Sequence, residues 1–183
     1  MADLNDVIKA LDNLADELET FIPNLLLEQE LTALALVQNR VQETGKDSKG
    51  GKLGDYSTRK LPAFFFVGKG KKTTDAKLMK LGREGKRISY KEFRELDGKQ
   101  AKFVDVTFTG QNWRQQGLVK QQISKDRAAI VIGPTTKRAE EVSENLDKKY
   151  GNWLALSEEE LQEIADNMAE AVEEVINKHI NGL

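Results

Sequence analysis

The chain has 183 residues, with 28 Lys and Arg against 30 Asp and Glu, so its formal net charge is only −2. It contains no cysteine, which excludes disulfides, thiolate metal sites and cysteine nucleophiles. Its length predicts a single domain over residues 1–183, and its apolar runs are far too short to cross a bilayer.

The near-neutral total hides a strong segregation of charge along the chain. The net charge is −7 over residues 1–44, +10 over residues 45–102, +3 over residues 103–137 and −8 over residues 138–183. The basic segment also holds 9 of the 14 glycines. Opposed charges on one chain favour attraction between copies, or to an acidic partner, over a Debye length of about 8 to 10 Å. This partition indicates an interaction protein, and the alternative is a merely solvated basic loop.

The N-terminal part, residues 1–44, is predicted to be helical. Apolar side chains recur at steps of three and four from Leu4 to Ile22, which is typical of an amphipathic helix. Pro23 disfavours helical geometry at the preceding residue, so we expect the helix to end or bend there. A second helix is predicted from Pro23 to about Glu43, with Gly45 as its C-cap.

Residues 45–102 are predicted to form a long, basic, glycine-rich excursion with some local structure. Residues 45–58 contain four glycines and indicate an irregular, turn-rich loop. Residues 61–67 favour a short buried strand, and the capping-box pattern from Ser89 to Glu92 opens a short helix. We expect the excursion to be mobile in the isolated subunit and to become ordered on assembly.

The C-terminal part, residues 103–183, is predicted to contain strands followed by helices. Alternating apolar residues from Phe103 to Thr109 indicate a half-buried strand. Residues 118–123 and 128–133 predict two more strands, joined by a turn at residues 124–127. Together these strands make a small antiparallel sheet.

Two helices are expected to follow the strands. The first is predicted from Thr136 to about Asp147. A capping box from Ser157 to Glu160 opens the last helix, which should pack on the sheet and end at Gly182. The predicted fold class is therefore α+β, with a small antiparallel β-sheet packed with long N- and C-terminal α-helices and a long basic loop excursion.

The chain offers no convincing catalytic motif, and we predict neither an enzyme nor a cofactor or metal site. The stretch Phe64–Asp75 resembles a strand, phosphate loop and helix, but a P-loop requires Gly-Lys-Ser/Thr and the fifth residue after Gly68 is Thr73. A nonspecific anion site on these amides and lysines remains an alternative. The single histidine, His179, is best explained as a residue near a helix C-terminus, where a cation is favoured.

A subunit interface is hypothesised on the basic segment and on two tryptophans. Trp113 and Trp153 stand among polar residues close to the predicted strands, so they are core or interface anchors in preference to base-stacking platforms. The hypothesised interface residues are Lys46, Lys49, Lys52, Tyr56, Lys69, Lys71, Lys72, Trp113 and Trp153.

Three stretches, in order along the chain, resemble one family. They are residues 38–57, with Gly50-Gly51-Lys52-Leu53-Gly54; residues 104–133, with Val104-Asp105-Val106-Thr107-Phe108 and the following hairpin; and residues 150–157, Tyr-Gly-Asn-Trp-Leu-Ala-Leu-Ser. Together they resemble the virion-morphogenesis proteins of tailed phages, also called tail-completion, neck or head-tail connector proteins. The resemblance does not cover Lys60 to Lys102.

The resemblance implies an α+β fold and a structural role in the virion, at the junction of head and tail. It implies a homo-oligomeric ring, contacts with neighbouring connector and tail proteins, assembly in the host bacterial cytoplasm and no catalytic residues. A flexible basic arm on acidic helices would fit such head-to-tail contacts. The alternative is a nucleic-acid-binding module in which the basic arm contacts DNA nonspecifically.

Overall fold

A computed structural model describes residues 3–107, 111–124 and 127–181. The first element, α1, is one helix over Leu4–Asn39, which is longer than predicted because it continues through Pro23. An interior proline costs about 3 kcal/mol, and the second half of α1 offsets this by burying Leu25, Ala33 and Val37. Of the two outcomes expected at Pro23, the helix end is wrong, because packing of the helix outweighs the local cost of the proline.

The end of α1 is capped where the sequence predicted it. The last turn widens into a π-helical turn over Arg40–Thr44, and Gly45 follows at φ 65°. A Cβ at Gly45 would stand 2.4 Å from a ring carbon of Phe103, so both the left-handed backbone and the close approach require glycine.

The basic segment begins as an irregular loop and then folds into a small unit with its own core. Two short strands, β1 (Leu61–Pro62) and β2 (Arg87–Ile88), pair antiparallel. A 3-10 turn over Ala63–Phe66 stands where a longer strand was predicted. The helices of this unit are α2 (Lys72–Arg83) and α3 (Tyr90–Leu96). Its core residues are Ala63, Phe66, Leu78, Ile88 and Phe93. We call residues 61–97 the basic unit.

The basic unit is more regular than the loop excursion that the sequence predicted. The capping box at the start of α3 is confirmed, since the Ser89 hydroxyl accepts the Glu92 amide at 3.2 Å and the Glu92 carboxylate accepts the Ser89 amide at 2.7 Å. In contrast, α2 was not predicted, because Leu78 is its single deeply buried apolar residue. Leu81, one turn further on, is only partly buried, so the large apolar residues of the buried face span a single turn.

The strand predicted from Phe103 does not form over residues 103–107, and residues 108–110 lie outside the described part. The chain turns because the Asp105 carboxylate accepts the Thr107 amide at 2.8 Å and Val106 adopts φ 53°. The left-handed region is unfavourable for a β-branched residue, so surrounding contacts must hold Val106 there. Hydrogen bonds from Tyr56 and Arg94 to Asp105 supply such contacts.

The predicted hairpin and its following helix are confirmed. A short helical turn, α4 (Gln111–Arg114), leads into β3 (Gln116–Ser124), which pairs antiparallel with β4 (Arg127–Pro134). The turn residues 125 and 126 lie outside the described part. Next comes α5 (Lys137–Tyr150), whose N-cap hydroxyl, from Thr136, accepts the Ala139 amide at 3.2 Å.

The last helix, α6 (Glu158–Ile180), packs mainly along α1 rather than on the hairpin. Its predicted capping box is present, with the Ser157 amide donating to Glu160 at 2.7 Å. Arg40, just after α1, pairs with Glu160 in the first turn of α6, and Glu17 in the first half of α1 contacts His179 in the last turn of α6, so the two helices run antiparallel. The predicted end at Gly182 lies outside the described residues. The α+β class with long terminal helices is confirmed.

Candidate assembly interface

The three lysines hypothesised in the basic unit lie on its surface, around the turn that enters α2. Lys69, Lys71 and Lys72 are all exposed. The Nζ atom of Lys69 lies 4.0 Å from the centre of the Phe65 ring, which fixes its position by a cation–π contact. These lysines present positive charge from an ordered scaffold, because the turn beneath them is firmly braced.

Asp97 braces that turn from the end of α3. Its Oδ1 accepts the Lys71 amide at 2.7 Å and the Thr74 hydroxyl at 2.8 Å, and its Oδ2 lies 2.9 Å from Lys99 Nζ. Burial alone would raise the pKa of the Asp97 carboxyl, but these three donors together lower its pKa to about 2. The backbone of Gly70 packs closely against the Asp97 side chain, since a Cβ at Gly70 would stand 2.6 Å from Oδ1.

The same turn is the segment that superficially resembles a phosphate loop. The Gly68 amide donates to the Asp75 carboxylate at 2.9 Å, and the Lys71 amide donates to Asp97. Carboxylates of the chain itself therefore occupy two of the amides that a bound anion would need. The anion site considered from the sequence is thus filled internally at those two amides.

The other three hypothesised lysines, Lys46, Lys49 and Lys52, are exposed on the loop after α1. The loop is closed by Asp47, whose Oδ1 accepts the amides of Lys49 at 2.9 Å and Gly51 at 2.8 Å. Lys46 and Lys49 line a cleft of about 770 Å³ together with the acidic start of α6 at residues 158–160. Part of the basic charge therefore faces an acidic helix of the same chain.

The three aromatic residues of the hypothesised interface lie in the core instead. Trp113 and Trp153 pack edge to face with ring centres 5.3 Å apart, and Tyr56 belongs to the same cluster with Val37 and Val41 of α1. The Trp113 indole N–H donates to the Thr107 hydroxyl at 3.1 Å. The two tryptophans are therefore core anchors, which is one of the two roles that the sequence predicted, and none of the three rings is exposed as the hypothesised interface required. The polar neighbours of both tryptophans in sequence concealed this burial.

A buried ionic network joins the basic unit to this core. The Arg94 guanidinium donates to the Asp105 carboxylate at 2.6 Å, to the Gln100 carbonyl at 2.8 Å and to the Thr107 carbonyl. The Tyr56 hydroxyl donates to Asp105 at 2.6 Å, and the Tyr56 ring stacks under Arg94 at 4.3 Å. Burial, together with the Asp105 carboxylate, raises the pKa of Tyr56. This network positions the basic unit against the end of α1.

No local pattern in the sequence indicates the Arg94 network. Asp105 falls at a position that the strand pattern assigned to solvent, and Arg94 falls within a short polar helix. An arginine and an aspartate that pair across a fold carry no characteristic spacing, so only the tertiary structure reveals them.

An open cleft of about 370 Å³ lies on the basic unit beside Lys69. Its lining is aromatic and basic, and consists of Ser57, Arg59, Leu61, Phe65, Phe66, Lys69 and Tyr90. Phe65 is 57% exposed, although Phe66 beside it is buried. We call this the aromatic-basic cleft. Apolar walls with cations at the rim suit an acidic segment that also presents apolar side chains.

The opposite end of the molecule carries an exposed apolar stripe on an acidic helix. Leu4 is 75% exposed, Ile8 49% and Leu11 57%, and Ala15 and Ile22 continue the row at helical spacing. The last described turn of α6 lies beside Glu17, so the first turns of α1 extend beyond it. We call these residues the N-terminal stripe.

Among the described residues, no group of three or more His, Cys, Asp or Glu side chains is placed to hold a metal ion. None of the helices in that part of the chain combines the length and apolar character needed to span a membrane. His179 takes part in the helix pairing, with Nε2 at 2.7 Å from the Glu17 carboxylate. Its hydrogen bond, followed by the charge of Lys178, lowers the pKa of Glu17.

The chain matches no protein-family model, and it has no significant match among curated proteins or solved structures.

Proposed function

We propose that this chain is a structural subunit of a tailed-phage virion, which assembles with copies of itself into a ring at the head-tail junction. Its partners there are neighbouring connector and tail proteins. The family resemblance of three ordered stretches supports the phage context. The proposal assigns the chain a structural role, in which it acts through contacts between subunit surfaces and not through reactive groups.

The observation that carries the proposal is the separation of complementary surfaces to opposite ends of the molecule. The helix α1 has 36 residues and spans about 54 Å. Its beginning bears the exposed apolar stripe among acidic residues, whereas the basic unit is held near its end by Arg94 and Tyr56. Two different surfaces on one subunit produce a head-to-tail contact, which closes into a ring when its rotation permits.

A gene inactivation in the phage that encodes the chain tests this proposal. Without the protein, we expect DNA-filled heads and complete tails to accumulate unjoined, as seen by electron microscopy. The chain should also be detectable by mass spectrometry in purified wild-type virions. Normal yields of joined, infectious particles without the protein would overturn the proposal.

Complementation of the inactivated phage with variant proteins tests whether joining needs the basic unit or only the presence of the protein. The combined variant Lys69→Glu, Lys71→Glu and Lys72→Glu should fail to restore joining, because it reverses the exposed charge. A control with the same charge change, Lys120→Glu, Lys137→Glu and Lys148→Glu, alters exposed lysines elsewhere and should restore joining. Circular dichroism should show both variants folded.

Nonspecific DNA binding is the second candidate function. Lys71 and Lys72 stand at the N-terminus of α2, where the helix dipole disfavours cations, so an anionic partner would relieve their repulsion. A gel-shift titration with duplex DNA at about 0.1 M salt distinguishes the two candidates, since phosphate contacts lose affinity steeply with salt. Tight binding that the triple Lys→Glu variant abolishes would favour this candidate.

A further inference from the structure

We infer that the aromatic-basic cleft of one copy receives the N-terminal stripe of a second copy. This inference rests on the self-assembly that we propose above, and it names the two surfaces that meet. The stripe supplies Leu4, Ile8 and Leu11, and the cleft supplies Phe65 and Lys69.

The first argument is the match of apolar surface with apolar surface. An amphipathic helix binds a groove through side chains at steps of three and four, which is the spacing from Leu4 to Ile8 and Leu11. The floor of the cleft is formed by Phe66 and Tyr90, whose ring centres lie 6.4 Å apart. Contiguous exposed apolar side chains rimmed by charged ones mark interaction sites.

The second argument is charge. Residues 3–19 carry six acidic side chains and one basic side chain, while residues 61–97 carry ten basic and five acidic ones. Asp12 and Asp16 are exposed and lie along one border of the stripe. Arg59 and Lys69 line the cleft. The acidic border of one copy therefore meets a basic rim on the next, which fixes the orientation of the helix.

The third argument is reach. The stripe occupies the beginning of α1, and the cleft lies in the basic unit that follows the end of the same helix. Between Leu11 on the stripe and Asn39, the continuous helix α1 rises about 42 Å, so the first turns of the stripe cannot reach the cleft of the same copy. Only a different copy can supply it.

A second open apolar cleft in the described part of the chain is a poorer match for the stripe. It has a volume of about 420 Å³ and lies between α1, β4 and α6, with Leu161 at its edge. Leu161 also lines the neighbouring cleft at the start of α6, beside Glu158 and Glu159. These carboxylates would repel an acidic helix, whereas the rim of the aromatic-basic cleft attracts it.

Cysteine cross-linking tests the inference directly, because the wild-type chain has no cysteine. Two single variants, Ala15→Cys on the stripe and Ser57→Cys on the cleft, change exposed residues and are mixed in equal amounts with a short bismaleimide. We expect a cross-linked dimer in the mixture, with residues 15 and 57 joined in its peptides. The matched control replaces Ser57→Cys by Val119→Cys, which is exposed on β3, and should give only background.

An exchange of charges tests whether the two surfaces in contact are the N-terminal stripe and the aromatic-basic cleft. Lys69→Glu should reduce the cross-link severalfold, and Asp12→Lys on the copy that carries Ala15→Cys should restore it. If oligomers form but the 15–57 cross-link stays at the level of the control, the inference is wrong and self-assembly stands. A protein that remains monomeric overturns both. If duplex DNA protects the introduced thiol at position 57 and the stripe does not, the cleft is a nucleic-acid surface and the inference is also wrong.

Discussion

Arg94 is the residue on which the position of the basic unit depends most. Its guanidinium is buried and satisfied by one carboxylate and two carbonyl groups. Arg94→Met should lower the free energy of unfolding by about 3 to 5 kcal/mol, because Asp105 would remain as an unpaired buried charge. Arg94→Lys should restore little, since an ammonium lacks the planar fork that reaches three acceptors.

Urea denaturation followed by tryptophan fluorescence measures these differences. Arg83→Met is the matched control, because Arg83 is exposed in the last turn of α2, and it should change stability by less than about 0.5 kcal/mol. A loss below about 1 kcal/mol for Arg94→Met would show that the network does not hold the unit in place.

Asp97 gives the fold a predictable dependence on acid. Its pKa is lowered to about 2 in the folded chain, from its ordinary value of 3.8. The ionised Asp97 carboxylate therefore stabilises the fold fully at pH values above the pKa that Asp97 has in the unfolded chain. This stabilisation is lost as the pH falls from about 4 towards 2. At neutral pH, Asp97→Asn should cost about 2 kcal/mol, since it weakens hydrogen bonds to a charged acceptor.

Unfolding of both proteins by urea, at about pH 7 and about pH 2.5, measures this difference. The difference in free energy of unfolding between wild type and Asp97→Asn should be smaller at the lower pH, because the wild-type carboxylate becomes increasingly protonated. Glu95→Gln, at an exposed position in the same helix, should show no comparable change. If this difference in free energy of unfolding does not change with pH, the charge of Asp97 does not brace the turn.

At the scale of elements, the loop and the basic unit should differ in their resistance to protease. Limited trypsin digestion should cut first after Lys49, Lys52, Arg59 or Lys60, which are exposed in irregular backbone. Sites inside α2, such as Lys77 and Lys80, should resist longer, because cleavage there requires local unfolding around Leu78. First cleavage within α2 would favour the mobile arm that the sequence predicted.

The pairing of α6 with α1 should be concentrated at Ile164. This side chain is buried, whereas Leu161 in the preceding turn is 52% exposed. Ile164→Ala should cost about 2 to 4 kcal/mol by thermal or urea unfolding, and Leu161→Ala less than about 1 kcal/mol. Equal losses at the two positions would mean that α6 packs differently along α1.

Local signals predicted several elements because each signal reflects local physics. The capping boxes at Ser89 and Ser157 and the helix end at Gly45 depend on neighbouring atoms, so a few residues suffice to predict them. Other features depend on contacts between residues distant in sequence. These are the continuation of α1 through Pro23 and the absence of the predicted strand around Asp105. Propensity alone cannot weigh such contacts.

The candidate site was predictable in its charge but not in its shape. The six lysines proposed from the sequence are exposed, as a charged surface requires. The three proposed aromatic residues are buried, and the cleft uses Phe65 in their place. A run of three phenylalanines indicates burial in general, and only the fold shows that Phe64 and Phe65 are exposed while Phe66 is buried.

For the whole molecule, the central claim is that one end of each copy binds the other end of the next. Charge attracts and orients the two ends, while apolar contact holds them, so assembly should weaken with salt without vanishing. The relevant comparison is between about 0.1 M and about 1 M salt, where the Debye length falls from about 10 Å to about 3 Å.

Size-exclusion chromatography with light scattering, followed by electron microscopy of the purified protein, is the most direct test. The account predicts concentration-dependent oligomers at low salt, closed rings in the images, and smaller species at high salt or after Leu11→Asp on the N-terminal stripe. A monomer at every concentration and salt, or oligomers unaffected by Leu11→Asp, would contradict it.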